Sequence, residues 1–321
     1  MSIDQLMPKA YELQAKAIAK SMDHHGVRPA PKPGDPPFAP EPGEDETRAA
    51  IIASFSDIPS LFEPFTIMPT PSSFDGPIED IDEAMKVLSL GYIANDPISG
   101  EIYRANPDLA KVGGSRSYLD TWTGAAREAF EEDFLTPFPA MVTNQFIECA
   151  VLRGALAAEQ ALWSAAQDNI LKVVQSGINA LENMDHCGQN KWTMVWTIVA
   201  SVAAVAAVPI SGGTSLAALA AVGTVTAVGS AAQVAAAHQV QAPYPTDYHG
   251  ESAEAVIGEV RAGVAHVISE IQRAEEIVVG ALNSNNEFIS GQPSYFVAPQ
   301  PKLANATPAN VFHEDYLGHG R

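Results

Sequence analysis

Residues 192–246 contain no Asp, Glu, Lys or Arg, although the whole chain has 18 basic and 38 acidic residues and a formal net charge of −20. The residues from Pro209 to Gly213 divide the stretch into two apolar halves, 192–208 and 215–237. Each half approaches the ~20 residues that a helix needs to cross a bilayer. Neither half shows the polar face of a surface helix. We therefore expect a helical hairpin that is either buried by other helices or inserted into a membrane.

Several residues of this hairpin suit a membrane. Trp192 and Trp196 could anchor one end at the interface. Alanine adds little insertion energy, whereas Leu, Ile, Phe and Val add about −0.3 to −0.6 kcal/mol each, so the Ala-rich second half is marginal. That balance fits a chain that is soluble first and inserts later, and it fits a buried core nearly as well. The residues that would form the turn or let helices approach closely are Pro209, Gly212, Gly213, Gly223 and Gly229.

The rest of the chain is dominated by helical periodicity. Apolar residues recur three or four positions apart over 4–23, 77–90, 138–184 and 251–284, and no strand-like alternation persists. A helix over 138–184 would be roughly 70 Å long and needs a partner along its length. The Asn-rich run 283–286 is expected to end the last helix. The predicted stripe of 138–184 is Val142, Phe146, Cys149, Leu152, Leu156, Trp163, Ile170, Val174, Ile178 and Leu181. The stripe of 4–23 is Leu6, Ala10, Leu13, Ala17 and Met22, and the inner face of 77–90 is Ile81, Met85 and Leu88.

These patterns predict an all-α protein, an elongated helical bundle with a hydrophobic helical hairpin. Seven prolines in 29–42 indicate a Pro-rich linker, and the Pro, Asn, Gly and Ala of the last residues indicate a disordered C-terminal tail. The expected organisation is an N-terminal helix (1–28), the linker (29–46), a helical bundle (47–184), the hairpin (185–246), a C-terminal helix (247–289) and the tail (290–321).

Residues 118–134 combine a tryptophan, a glycine and a helix start. Trp122-Thr123-Gly124 precedes an Ala- and Phe-rich run, and Gly124 can form a tight turn without steric cost. Phe130 and Phe134 are spaced by four and fall on one helix face. The pattern predicts a helix–turn–helix corner pinned by the indole of Trp122.

The run W-T-G-A-A-R-E-A-F resembles the WXG family of type VII (ESX) secretion substrates, as found in actinobacteria, over about residues 79–184. The resemblance implies a non-catalytic protein that acts by protein–protein or membrane contact, with Trp122, Gly124 and Phe130 as its structural corner. The implied partners are a WXG-family or related helical protein and the secretion machinery. A second copy of the chain or a membrane could also serve. The family's Tyr-x-x-x-Asp/Glu export signal matches only Tyr92–Asp96, which precede Trp122, so a partner chain could carry it.

The N-terminal residues lack the continuous apolar core of a secretory signal peptide. The expected location is therefore cytoplasmic before export, and then secreted without a cleaved signal or associated with the cell envelope. The acidic excess argues against nucleic acid as a partner, because phosphate contacts need Lys and Arg. Two other functions stay open: a membrane-inserting or pore-forming effector that uses 192–237, and a structural helical protein with no secretion role.

No catalytic motif is evident, so we expect no enzyme activity, no cofactor and no metal site. There is no phosphate-binding loop, no nucleophile elbow and no HExxH pair. Cys149 falls on an apolar stripe and is interpreted as a buried small hydrophobe. Three further pairs indicate no site: His24 with His25, His186 with Cys187, whose side chains diverge on a helix, and His313 with His319.

Overall fold

The computed structural model describes residues 2–28, 42–90, 101–120, 125–185, 190–199, 243–298 and 305–313. Within these residues the fold is helical apart from one pair of strands. The helices are α1 (Leu6–His24), α2 (Glu44–Ser54), α3 (Ile58–Phe62), α4 (Asp75–Leu88), α5 (Pro107–Gly114), α6 (Ala125–Phe130), α7 (Phe138–Glu182) and α8 (Ala253–Gly291). The strands are β1 (Asn190–Trp196) and β2 (Tyr244–Gly250), which pair antiparallel.

The predicted all-α class and the long helices are confirmed. Helix α7 has 45 residues and α8 has 39. The chain divides into two compact units. Unit 1 comprises Met1–Pro71, Gln160–Val202 and Gln241–Glu275, and unit 2 comprises Ser72–Glu159, Ala203–Val240 and Glu276–Arg321.

The core of unit 1 forms where α1, α7 and α8 pack together. A Cβ on Gly177 of α7 would lie 2.6 Å from Val260 Cγ2 of α8 and 3.1 Å from Leu13 Cδ1 of α1. A Cβ on Gly263 of α8 would similarly approach Val173 of α7 at 3.3 Å, so the two long helices run antiparallel in this unit. Glycine at 177 therefore sets how closely the three helices approach. The residues of the predicted α1 stripe, all buried, are Leu6, Ala10, Leu13, Ala17 and Met22.

Polar contacts fix the smaller helices to this core. Arg261 of α8 donates to both carboxylate oxygens of Asp57, at 3.0 and 2.8 Å. Before the predicted linker, the backbone N–H and the guanidinium of Arg28 donate to Glu44 at 2.9 and 3.0 Å. Glu44 is buried and begins α2. This contact joins the two flanks of the linker, whose residues 29–41 lie outside the described part of the chain.

The core of unit 2 packs α4 and residue Tyr103 against the first turns of α7. Its buried cluster consists of Met85, Tyr103, Phe146, Ile147 and Ala150. The predicted inner face of the 77–90 helix is confirmed, because Met85 is fully buried and Ile81 and Leu88 pack against the cluster.

One stripe residue of α7 was predicted wrongly. Leu152 is 47% exposed, whereas its neighbours Ala150 and Val151 are buried. In this part of α7 the buried residues are 146–147 and 150–151, so the buried face does not include Leu152. Stripe residues further along α7, including Ile170, Val174 and Ile178, are buried, so the error is confined to the part of α7 in unit 2.

Residues 192–196 form a strand, so the prediction that they begin an apolar helix is wrong. Trp192, Met194 and Trp196 face inward, while the residues between them are exposed. This period of two is the strand pattern, and Trp, Thr and Val favour strands. Val195 is apolar although it lies on the exposed face, so the sequence does not alternate between apolar and polar residues here. A short apolar run of this kind is compatible with either a helix or a strand.

The C-terminal helix and the tail also differ from expectation. Helix α8 continues through the Asn-rich run to Gly291, and the buried Asn285 side chain hydrogen-bonds to Glu148 within unit 2. The first residues of the predicted disordered tail are folded. Phe296 is buried, and the side-chain amides of Asn144 and Gln145 donate to the carbonyls of Tyr295 and Phe296 at 2.8 and 2.6 Å.

Two matched glycine substitutions test the packing of unit 1. Gly258→Ala lies on α8 with nothing near its new methyl group, and should stabilise the fold by about 0.5–1 kcal/mol through helix propensity. Gly177→Ala should instead destabilise it by about 1 kcal/mol or more, because overpacking costs about 1–3 kcal/mol. Urea unfolding followed by far-UV circular dichroism measures both. Equal stabilisation by the two variants would contradict the close approach at Gly177.

Candidate functional site

The two strands close the apolar stretch into a loop. Their register runs from Asn190↔Gly250 to Trp196↔Tyr244, so the segment 197–243 leaves and rejoins the strand pair at neighbouring positions. Residues 200–242 lie outside the described part of the chain. Most of the uncharged stretch is thus an insertion between α7 and α8, with both of its ends held at the strand pair.

The inner face of the strand pair is lined with aromatic rings. Trp192 stacks on Tyr248 with ring centroids 5.6 Å apart and an interplanar angle of 18°. The indole N–H of Trp196 donates to Thr246 Oγ1 at 2.8 Å. Offset aromatic pairs of this kind contribute about 0.5–1.5 kcal/mol beyond the area that they bury. The two strands are therefore held by side chains as well as by backbone hydrogen bonds.

A Tyr–His–Glu cluster fixes the last pair of strand partners, Trp196 and Tyr244, to α8. The Tyr244 hydroxyl lies 2.6 Å from His266 Nε2 and donates to Glu270 Oε1 at 3.1 Å. The Tyr244 hydroxyl has one proton, which it donates to Glu270. The proton in the contact between Tyr244 and His266 is therefore carried by His266 Nε2. The ring of Trp196 lies 4.3 Å from that of His266. Four side chains thus join the base of the apolar loop to α8.

The electrostatics of this cluster keep Tyr244 neutral. Burial, followed by the charge and hydrogen bond of Glu270, raises the pKa of Tyr244 to about 12. A tyrosine with so high a pKa is a poor base and a poor nucleophile at neutral pH. The arrangement therefore supports a structural role as an anchor of the strand pair.

The predicted role of Trp196 as an interfacial membrane anchor is wrong, because Trp196 is 1% exposed inside unit 1. Trp192 is half-buried against Tyr248. In the parts of the chain that the structure describes, no helix is both long and apolar enough to cross a membrane. The other predicted hairpin residues, Pro209, Gly212, Gly213, Gly223 and Gly229, lie outside those parts.

The second candidate region follows the Trp-x-Gly run. Trp122 and Gly124 themselves lie outside the described residues, and helix α6 begins immediately after them at Ala125. Beyond α6 the chain makes a π-helical turn, Glu131–Leu135, before α7 begins. Phe130, Phe134 and Phe138 form a continuous row, with ring centroids 5.2 and 5.6 Å apart. Phe130 is 37% exposed. We call these three rings the aromatic row.

One polar cluster in unit 2 was missed by sequence reasoning. Arg153 of α7 pairs with Asp82 of α4, and also with Glu101 at 2.7 Å. The Tyr103 hydroxyl donates to Asp82 at 2.8 Å, and burial, followed by Asp82, raises the pKa of Tyr103. The residues come from three distant segments with no shared motif, so only the tertiary structure brings them together. Each charge has an opposite partner, which is typical of a structural ion-pair network.

The remaining reactive groups form no centre in the described residues. No group of three or more His, Cys, Asp or Glu there could hold a metal ion. The His24 and His25 rings meet edge to face at 5.3 Å. Cys149 is half-buried, and burial raises the pKa of its thiol, which disfavours the reactive thiolate. His186, Cys187 and His319 lie outside the described ranges.

Comparisons of the chain with protein-family models, with curated proteins and with solved structures gave no significant match.

Proposed function

We propose that this chain is a non-catalytic, WXG-like substrate or accessory protein of a type VII secretion system. The observation that carries the proposal is the position of the Trp122-Thr123-Gly124 run, directly before a helix that leads into α7. A Trp-x-Gly run at a helix start is what the resemblance implies. The two long antiparallel helices of unit 1 are compatible with the helical hairpins of such proteins.

The aromatic row supplies a surface for a helical partner in this proposal. Its three rings lie along one face at a spacing of four residues, and Phe130 is the most exposed of them. Aromatic residues with partial exposure are enriched where proteins dock, because they bury a large area at little entropic cost. Arg116 and Arg127 pair with Glu131 at 3.1 and 3.6 Å beside the row, so its border is charged. The expected partner is a WXG-family or related helical protein.

Export is tested in a host strain that has the system and in one that lacks its ATPase. The wild-type chain should accumulate outside the cell only when the ATPase is present, and Trp122→Ala should reduce the extracellular level to that of the ATPase-deficient strain. Tyr118→Ala is the matched control, because it removes an aromatic ring close to the run from a side chain that is 81% exposed. Intracellular levels of each variant must be equal for the comparison. Equal extracellular wild-type protein in both strains would favour a structural protein with no secretion role.

A second function, membrane insertion by the apolar segment, is favoured by the strand pair. The segment leaves and returns at Trp196 and Tyr244, which are already paired and fixed to α8. Insertion beyond the buried Ile198 and Val199 would therefore not require α7 or α8 to unwind. Its uncharged composition would avoid the cost of placing charged side chains in a bilayer.

Liposome flotation tests this second function directly. The purified wild-type chain should float with the vesicles, and a Val205→Asp/Val225→Asp variant should stay in the soluble fraction, because a charge near the bilayer centre costs about 2.5–3.5 kcal/mol. A matched variant with aspartates at exposed positions, Val195→Asp/Ile268→Asp, controls for added charge. Wild-type protein that never floats would argue against membrane insertion and favour burial of the apolar segment within the protein.

A further inference from the structure

A buried carboxyl group and a buried amide meet between α7 and α8 in unit 2. Asn285 Nδ2 of α8 donates a hydrogen bond to Glu148 Oε2 of α7. Glu148 is 9% exposed and Asn285 is 4% exposed. A glutamate is almost never so deeply buried unless something compensates for its charge.

No cation compensates for Glu148 within the described residues. Burial raises its pKa, and the hydrogen bond from Asn285 is the one influence that lowers it. The nearest arginine along α7, Arg153, is committed to Asp82 and Glu101. The elements that contact this part of the two helices also carry titratable or charged groups. They are Cys149 and Arg153 on α7, Glu287 on α8, Asp82, Glu83 and Lys86 on α4, Tyr103, which packs on Phe146, and Tyr295.

Two oxygen atoms of the pair have no hydrogen-bond donor among the described residues. They are Glu148 Oε1 and Asn285 Oδ1. The amides of the neighbouring Asn144 and Gln145 are already directed to the carbonyls of Tyr295 and Phe296. A buried acceptor without a donor costs about 1–3 kcal/mol. Two such atoms on one contacting pair indicate that a proton is shared between the side chains.

We propose that Glu148 is protonated in the folded chain and forms an acid–amide pair with Asn285, in which its hydroxyl donates to Asn285 Oδ1 and the Asn285 amide donates to Oε2. This arrangement gives each of the two unpartnered oxygens a role in one hydrogen bond. It also removes the buried charge. The pair then acts as a pH-sensitive clasp between α7 and α8 in unit 2.

The direction of the pH dependence follows from the raised pKa. Below the ordinary glutamate pKa of about 4.3, the carboxyl is neutral in the folded and the unfolded chain. Above that value the unfolded chain releases the proton while the folded chain keeps it. Opening therefore becomes up to about tenfold easier with each pH unit until the pH reaches the folded-state pKa. The clasp is tightest in acid and loosens as the pH rises.

Hydrogen exchange of the full chain, measured by mass spectrometry from about pH 5 to about pH 8 and corrected for intrinsic rates, tests the proposal. In the wild type, protection of peptides from 140–155 and 278–291 should fall with pH relative to peptides from α1. Glu148→Gln cannot ionise and can make both hydrogen bonds, so its protection should not show this fall. Glu287→Gln removes an exposed charge from the same region and should behave like the wild type.

Two results would overturn the proposal. Parallel pH profiles for the wild type and Glu148→Gln would mean that Glu148 is ionised in the folded chain. If Glu148→Gln does not fold, the wild type decides alone. Protection of 140–155 and 278–291 that follows that of α1 at every pH would show that no proton is held at the pair.

Discussion

The pairing of Trp196 with Tyr244 is the contact on which the organisation of this chain depends. The uncharged stretch 192–246 lies between α7 and α8 in the sequence of a chain whose net charge is −20. The strand pair turns that stretch into a closed loop, and the Tyr244–His266–Glu270 cluster fixes the base of the loop to α8. Both ends of the apolar segment are thus fixed by residues other than those that pack α1, α7 and α8 together.

Within each unit, ion pairs join segments that are distant in the chain. In unit 1, Glu44 pairs with Arg28 and Arg48, and Asp57 pairs with Arg261. In unit 2, Arg153 pairs with Asp82 and Glu101. The Asp57–Arg261 pair is partly exposed, and exposed pairs add little stability. Glu44 is the buried carboxylate among these residues, and removing its partners would be costly because an uncompensated buried charge would remain.

The sequence predicted what depends on local periodicity. The helices, the buried α1 stripe and the inner face of α4 follow from apolar residues repeated at helical spacing, because burial of such a stripe needs no knowledge of the partner. The strand pair could not be predicted in this way. Strands β1 and β2 are separated by a long segment, and each is short and stabilised mainly by the other. The helical state of the Asn-rich run could not be predicted in this way either, since Asn285 contacts Glu148, which is far away in the chain.

The candidate sites show the same difference between features set by adjacent residues and features set by distant ones. The helix start after Gly124 was predicted from adjacent residues, and α6 begins there. The Arg153 cluster and the Glu148–Asn285 pair unite residues from distant segments, so neither has a local sequence pattern. Trp196 shows the opposite error. Its position beside an apolar run favoured a membrane interface, whereas its indole is enclosed by Thr246 and His266.

Disulfide trapping across the strand pair tests the central claim, that the strands close the apolar segment into a loop, most directly. Thr193 and Asp247 are register partners on the outer face, with Thr193 Oγ1 2.6 Å from Asp247 Oδ1. With Cys149 and Cys187 replaced by serine, Thr193→Cys/Asp247→Cys should form a disulfide on mild oxidation of the folded chain. Thr193→Cys/His249→Cys is offset by two residues, roughly 7–8 Å away diagonally, and should react far more slowly. Equal rates for the two pairs, or no disulfide in either, would contradict the strand pairing and the closed loop.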